Sequence, residues 1–334
     1  MTDAPQLPSC RTLLLGFVLG IVALGADECF WRLRGFRPSV SEDNHGRQLW
    51  RHWRERIHKR SGKVVVSLGA SRIQSAFAPE TFRERYPDHQ FVQLAEYAGG
   101  SPFGTLKDLA DDPSFQGIVI CDVIAPFLLP ARWADQRQLY ESRALAKELY
   151  EKVPLWRLQD RLAILKRDLR PPTLLRTLRL PDPNLVRLRF DRSVELDFSV
   201  ISDIDQLREP KIEMFRNRYA RASERMTLDE FTSGFQEIDE WVKRIYGRGG
   251  KVVFLRCPSA GERKEIEDQY HPREGFWDRF AAHSSAECIH FEDVPSMLNL
   301  RSPDGSHLDM RERAGFTIAL LDELDRRGVL SSGE

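Results

Sequence analysis

Val64-Val65-Val66-Ser67-Leu68 is a run of apolar or small residues with no polar alternation, and Gly69-Ala70-Ser71-Arg72 ends it at once. A strand buried on one face would alternate, so this run reads as a strand covered on both faces that turns directly into a helix. Strands of that kind belong to parallel sheets flanked by helices, and the following segments keep to the pattern. Residues 63–68 read as strand, 78–86 as helix, 91–95 as strand, 103–110 as helix and 118–123 as strand, which is half of a doubly wound sheet.

The rhythm changes near Pro130 to Arg-rich helical stretches broken at Pro154, at Pro171-Pro172 and at Pro181 and Pro183, followed by a polar section to about Arg225. Residues 130–225 therefore read as an insertion, either packed over one sheet edge or serving as a lid. The sheet pattern resumes with a helix over 227–246, opened by a Thr227/Glu230 capping box and closed by Gly249-Gly250. A strand at 251–255, a helix through 277–282, a short strand at 288–291 and a last helix with Phe316, Ala319, Leu320 and Leu324 on one face complete it.

Ser71 stands where the first strand ends, and open α/β sheets place their ligand crevice outside the carboxyl ends of the strands. A serine hydroxyl needs a neighbouring base to take its proton as it attacks. The late loop Pro303-Asp304-Gly305-Ser306-His307-Leu308 supplies one, with a carboxylate three residues before an imidazole. That spacing builds the orienting pair within one turn, and only the serine-to-histidine contact is left to the tertiary fold. Taken singly, Ser71 reads equally as a helix cap, Asp304 as a turn residue and His307 as an ordinary histidine. Their order at the two ends of one α/β unit favours a nucleophile, base and orienter.

These blocks resemble the SGNH/GDSL hydrolase family over roughly residues 63–324. The resemblance implies a three-layer α/β/α, flavodoxin-like fold with Ser71 as nucleophile and the Asp304/His307 pair as its base. Within Ala98-Gly99-Gly100-Ser101-Pro102 it implies that Gly100, beside Gly99, lends an amide to an oxyanion hole. It also implies ester hydrolysis or acyl transfer without cofactor or metal. Anchored bacterial members similar to envelope polysaccharide O-acetyltransferases point to acylated cell-envelope carbohydrate as substrate.

The chain departs from the family in its third block, where an oxyanion asparagine is expected. Here Gly117-Ile118-Val119-Ile120 runs into Cys121-Asp122-Val123, so Asp122 brings a carboxylate where the family has a donor. That favours an alternative: an inactive SGNH-like module that binds glycan or scaffolds an envelope assembly. The first block also has Gly-Ala-Ser-Arg instead of Gly-Asp-Ser-Leu. Arg72 follows the serine, and Arg256, at the end of the strand over 251–255, is expected near the crevice, meeting an acidic substrate group or pairing with Asp122.

Lys plus Arg and Asp plus Glu are 50 each, so no global basic field exists to capture nucleic acid. None of the five cysteines has zinc-ligand spacing, and Cys121, Cys257 and Cys288 near strand ends suit buried thiols as well as one disulfide.

Residues 13–26 carry no charge. Fourteen helical residues rise about 21 Å, short of the roughly 30 Å hydrocarbon layer, so a span would extend over 12–31. This reads as an uncleaved anchor in the lipid bilayer, after a tail of 1–11 and before a helical segment 32–60 and an α/β domain 61–330. The competing reading is a signal peptide with Ala23-Leu24-Gly25 at its cleavage site. Cys10 precedes the apolar run and does not fit a lipoprotein cysteine. Arg32, Arg34 and Arg37 after the span, against Arg11 before it, place the domain in the cytoplasm, whereas the family resemblance implies the outer, periplasmic side.

Overall fold

The structure, a computed structural model, describes residues 9–40, 45–57, 64–96, 100–136, 146–169, 173–174, 181, 183–220 and 227–330. Its centre is a parallel sheet of five strands. In chain order the strands are β1 (Val64–Leu68), β2 (Gln90–Gln93), β3 (Ile118–Asp122), the antiparallel hairpin β4 (Val186–Leu188) and β5 (Val194–Leu196), then β6 (Lys251–Arg256) and β7 (Glu287–His290). The sheet runs β2-β1-β3-β6-β7, with Val66 opposite both Val92 and Val119, and Val119 opposite Val252. The order is that of a doubly wound sheet, and the switch point falls between β1 and β3.

The helices are α1 (Cys10–Leu33), α2 (His45–Arg54), α3 (Ser71–Ala76), α4 (Pro79–Arg85), α5 (Phe103–Asp111), α6 (Ala146–Gln159), α7 (Ile204–Ala220), α8 (Leu228–Thr232), α9 (Phe235–Tyr246), α10 (Gly261–Tyr270), α11 (Trp277–His283) and α12 (Arg313–Arg326). Successive side chains of a strand point to opposite faces. Val64, Val66 and Leu68 accordingly enter one core with Trp50, Leu106, Trp241 and Phe280. Val65 enters the other with Phe77, Phe82, Phe316 and Leu320. Both faces being covered explains why β1 shows no polar alternation.

The strands and helices expected around the sheet are present, with ends shifted by one or a few residues. The helix expected over 227–246 divides at Gly234. A Cβ at Gly234 would lie 2.5 Å from the Trp133 ring, so the close approach of the tryptophan sets the break. Thr227 and Glu230 do form the capping box.

Between β3 and β6, the polar stretch contains the β4–β5 hairpin, whose tip holds Arg192 at φ 69°. A non-glycine residue in that region is strained, and here the surroundings fix it. The Arg192 guanidinium donates to the carbonyls of Gln93 and Ala95 and to the Glu96 carboxylate, while its own carbonyl accepts from Gln74 on α3. The hairpin thus grips the carboxyl end of β2 and the helix that begins at Ser71.

At the amino terminus, α1 is long and apolar enough to cross a membrane. Its last turns are fastened to the loop after α6. The Glu28 carboxylate accepts the amides of Ala163 and Ile164 at 3.0 Å each, and Arg32 donates to Glu28 and to the Arg161 carbonyl. Trp31 and Phe36 pack there against Ala163 and Leu169.

Candidate active site

Gly69 makes the turn that presents Ser71. Its φ is +143°, and a Cβ there would meet Ile73 at 2.6 Å and Asp122 at 2.9 Å, so only glycine lets the chain leave β1 this closely packed. Ser71 then opens α3 at the carboxyl edge of the sheet, half-buried. The first amides of a helix have no partner within it and face outward there.

The second component is the loop after the 3₁₀ turn Pro295–Met297. One Asp304 oxygen accepts the amides of Ser306 (3.0 Å) and His307 (2.8 Å), which folds the loop around the carboxylate. Gly305 has φ +75°, and a Cβ on it would sit 2.9 Å from the Ala260 carbonyl; its own carbonyl accepts from the Ala260 amide. The loop is therefore pinned to the start of α10.

This arrangement aims the imidazole. His307 Nδ1 lies 2.9 Å from Asp304 Oδ2, and His307 Nε2 lies 2.8 Å from Ser71 Oγ. An ionised carboxylate only accepts, so Nδ1 carries the proton and Nε2 accepts from the serine hydroxyl. Asp304 is 3% exposed. Burial opposes its ionisation, but the bond and charge of His307, the Lys211 ammonium and the Ser306 amide outweigh burial and hold the carboxyl well below its usual range. Lys211, on α7, donates to the same Oδ2 at 3.2 Å. Sequence reasoning missed Lys211, because nothing in α7 links it to a loop so far along the chain.

Arg72, the residue after Ser71, is engaged by protein partners. Its Nε donates to Ser306 Oγ at 3.2 Å and its Nη2 pairs with Glu267, which ties the serine helix to the histidine loop. Arg256 also meets Glu267, at 2.6 Å, and donates to the Cys257 carbonyl. Arg263 completes the cluster at 2.6 Å. Glu267, buried on α10, is thus the hub of three guanidiniums. Burial raises its carboxyl, yet Arg72, Arg256 and Arg263 prevail and keep it far below the usual value. The only local signal for this hub was the four-residue spacing from Arg263 to Glu267, common on any charged helix.

Asp122 ends β3 fully buried. Its Oδ1 accepts the Cys257 amide at 3.0 Å, joining β3 to the end of β6. Burial pushes its carboxyl up, against the pull of Arg72, Arg256 and the Cys257 amide. The chain leaves β2 beside the serine turn, where the Glu96 amide pairs with the Gly69 carbonyl at 3.1 Å; Gly100 is the first described residue after 97–99. Gly99 lies outside the described residues. All five cysteines are free, with Cys121 and Cys257 buried, so the thiol alternative holds over a disulfide.

A cavity of about 50 Å³ opens at the ends of β3, β6 and β7, between Arg256, Ser259, His271, Trp277 and His290. Ser71 and His307 do not line it, so the chemistry described here stands at the β1 edge and not in that cavity. Among the described residues, no group of three or more His, Cys, Asp or Glu side chains is arranged to hold a metal ion.

No protein-family model matches this chain, and no curated protein does. Among solved structures, one titled Crystal Structure of TesA is similar at 12% identity and a TM-score of 0.35, over 79% of this chain and 98% of that one. A likeness that low carries no weight for the fold or the site, which stand on their own geometry.

Proposed function

We propose that this chain is a serine-dependent ester hydrolase or acyl transferase of the SGNH type, held at a membrane by α1. The observation that carries this reading is one imidazole bonded on one side to a buried carboxylate and on the other to a hydroxyl at the edge of the sheet. Ser71 Oγ attacks the acyl carbonyl while its proton passes to His307 Nε2, and Asp304 stabilises the imidazolium that forms. The tetrahedral oxyanion faces the amides of Ser71 and Gly100. Collapse returns the proton from Nε2 to the leaving alkoxide, leaving an acyl-serine. Water or a sugar hydroxyl, deprotonated by the same nitrogen, then takes the acyl group. The sequence resemblance supplies the substrate class, acylated cell-envelope carbohydrate, and the outer placement of the domain.

A second reading has an observation of its own. Asp122 spends its oxygen on the Cys257 amide and offers the site an acceptor, not a donor. Loss of one oxyanion donor costs about 100 to 1,000-fold in rate, which favours an inactive module that binds glycan. Fluorophosphonate labelling of the full chain in detergent separates the two, with Ser71→Ala and His307→Ala beside it. Adduct at Ser71 that requires His307 is the expected result. A folded chain that takes no label at Ser71 would leave the binding module as the better account.

A further inference from the structure

The uncharged part of α1 is short for a bilayer. Residues 13–26 rise about 21 Å against roughly 30 Å of hydrocarbon, so the remaining ~9 Å falls on the last turns of α1, where the helix meets the domain. Past the acidic pair Asp27-Glu28, apolar side chains continue on the outside of the helix: Phe30 is 46% exposed and Leu33 89%. Glu28 does not interrupt that surface, because its carboxylate is taken up by Arg32 and by the amides of Ala163 and Ile164.

The domain has exposed apolar side chains of its own on α6, just before the loop to which α1 is fastened. On α6, Trp156 and Gln159 are buried, leaving Leu155 and Leu158 outward, 44% and 50% exposed and one turn apart. Three residues after Leu158, the Arg161 carbonyl accepts from Arg32 of α1. Among the exposed charges of these two segments, Arg32, Arg34, Arg37, Arg157 and Arg161 outnumber Asp27 and Asp168, with Arg34 over the Phe30 ring and Arg157 over that of Phe190. Asp160 is engaged by Arg189 and does not offset them.

We infer that Phe30, Leu33, Leu155 and Leu158 form one apolar face lying in the headgroup boundary of an anionic lipid leaflet, so that the domain rests on the bilayer as well as being anchored in it. The inference depends on α1 spanning the membrane. It follows from the exposed apolar side chains at the end of α1 and on α6, from the bonds that fasten α1 to the loop directly after α6, and from the exposed arginines of both segments, which complement acidic headgroups.

The test uses the full chain in nanodiscs of phosphatidylglycerol, in a Cys10→Ser, Cys29→Ser, Cys288→Ser background. A bimane is placed in turn at Leu155→Cys, Leu158→Cys, Leu24→Cys and Ile318→Cys, the last on α12 as reference. Lipids carrying a nitroxide at the headgroup or deep in the chain quench each label. Several-fold stronger headgroup quenching at positions 155 and 158 than at 318 is the expected result, with Arg157→Glu and Arg161→Glu reducing it. Quenching at 155 and 158 no stronger than at 318, with position 24 quenched by the deep nitroxide, would overturn the proposal while leaving the anchor intact; the leucines would then meet protein or water. Absence of quenching at position 24 would instead remove the anchor on which it rests.

Discussion

Asp304 and Glu267 are both buried carboxylates held far below their usual range by cations, yet they are built differently. Asp304 is bonded by its own loop and faces the His307 imidazole, whose other nitrogen meets Ser71 Oγ; Lys211 is its one cation from another element. Glu267 faces three guanidiniums from three segments, and none of them ever loses its proton. One carboxylate can respond to a proton moving through the site. The other can only hold α3, the end of β6 and α10 together.

The sharpest way to break this comparison is to neutralise each carboxylate and ask which quantity moves. Asp304→Asn should lower kcat/KM on a chromogenic short-chain ester by about 10⁴-fold, since the imidazole loses its orienter, with a smaller fall in stability than Glu267→Ala because asparagine keeps an oxygen for the Ser306 and His307 amides. Glu267→Ala should do the reverse first. Leaving three buried arginines without their counter-charge costs about 3–5 kcal/mol in stability, readable by urea denaturation. Equal stability losses for the two variants would erase the distinction.

Acidification sharpens it further. Burial, Arg256 and Arg273 lower His290 to about 3, and burial, opposed by Glu267 and aided by Arg256 and Arg263, lowers His271 to about 4. Both stay neutral when folded, whereas the unfolded chain protonates near 6.5. Their stabilising effect is complete above that value and declines as pH falls from 6.5 toward 4, by up to about 1.4 kcal/mol per pH unit for each. Asp304 and Glu267 lose theirs later, as pH falls through and below the ordinary carboxylate range. Melting temperature should therefore start to drop near pH 6.5, and His290→Phe should flatten that first slope.

The smallest effect belongs to Lys211. It is partly exposed and shares Asp304 Oδ2 with the imidazole, so it competes with the developing imidazolium. Lys211→Met should raise kcat/KM by up to about five-fold, the range of a part-exposed ion pair. A fall would assign Lys211 to positioning Asp304 instead.

The difference between the two carboxylates also decides what could be read from the chain in advance. Asp304 and His307 are three residues apart and share one turn, so their pairing was legible, and Ser71 was legible because a run buried on both faces stops there. The sheet followed from the same runs. Glu267, Lys211 and the Arg192 tip were not legible, for Glu267 meets Arg72 across 195 residues, Lys211 meets Asp304 across 93, and Arg192 meets Gln74 and Gln93 across 118 and 99, through ordinary-looking charged stretches. The β4–β5 hairpin escaped because three-residue strands in a polar segment carry too little alternation to register. Arg72 and Arg256 were placed near the crevice by their position after strands, but their partner lay on a helix that no spacing connected to them.

The fastening of α1 has one more consequence. A catalytic head on a flexible linker sweeps a volume whose radius grows with the linker, and encounters targets at many heights. Here Glu28 and Arg32 close the joint directly onto the loop after α6, leaving no slack. Where α1 spans a bilayer, Ser71 is fixed at one altitude, and under the proposed function the chain works as a stylus of set length that reaches only ester groups passing through that plane.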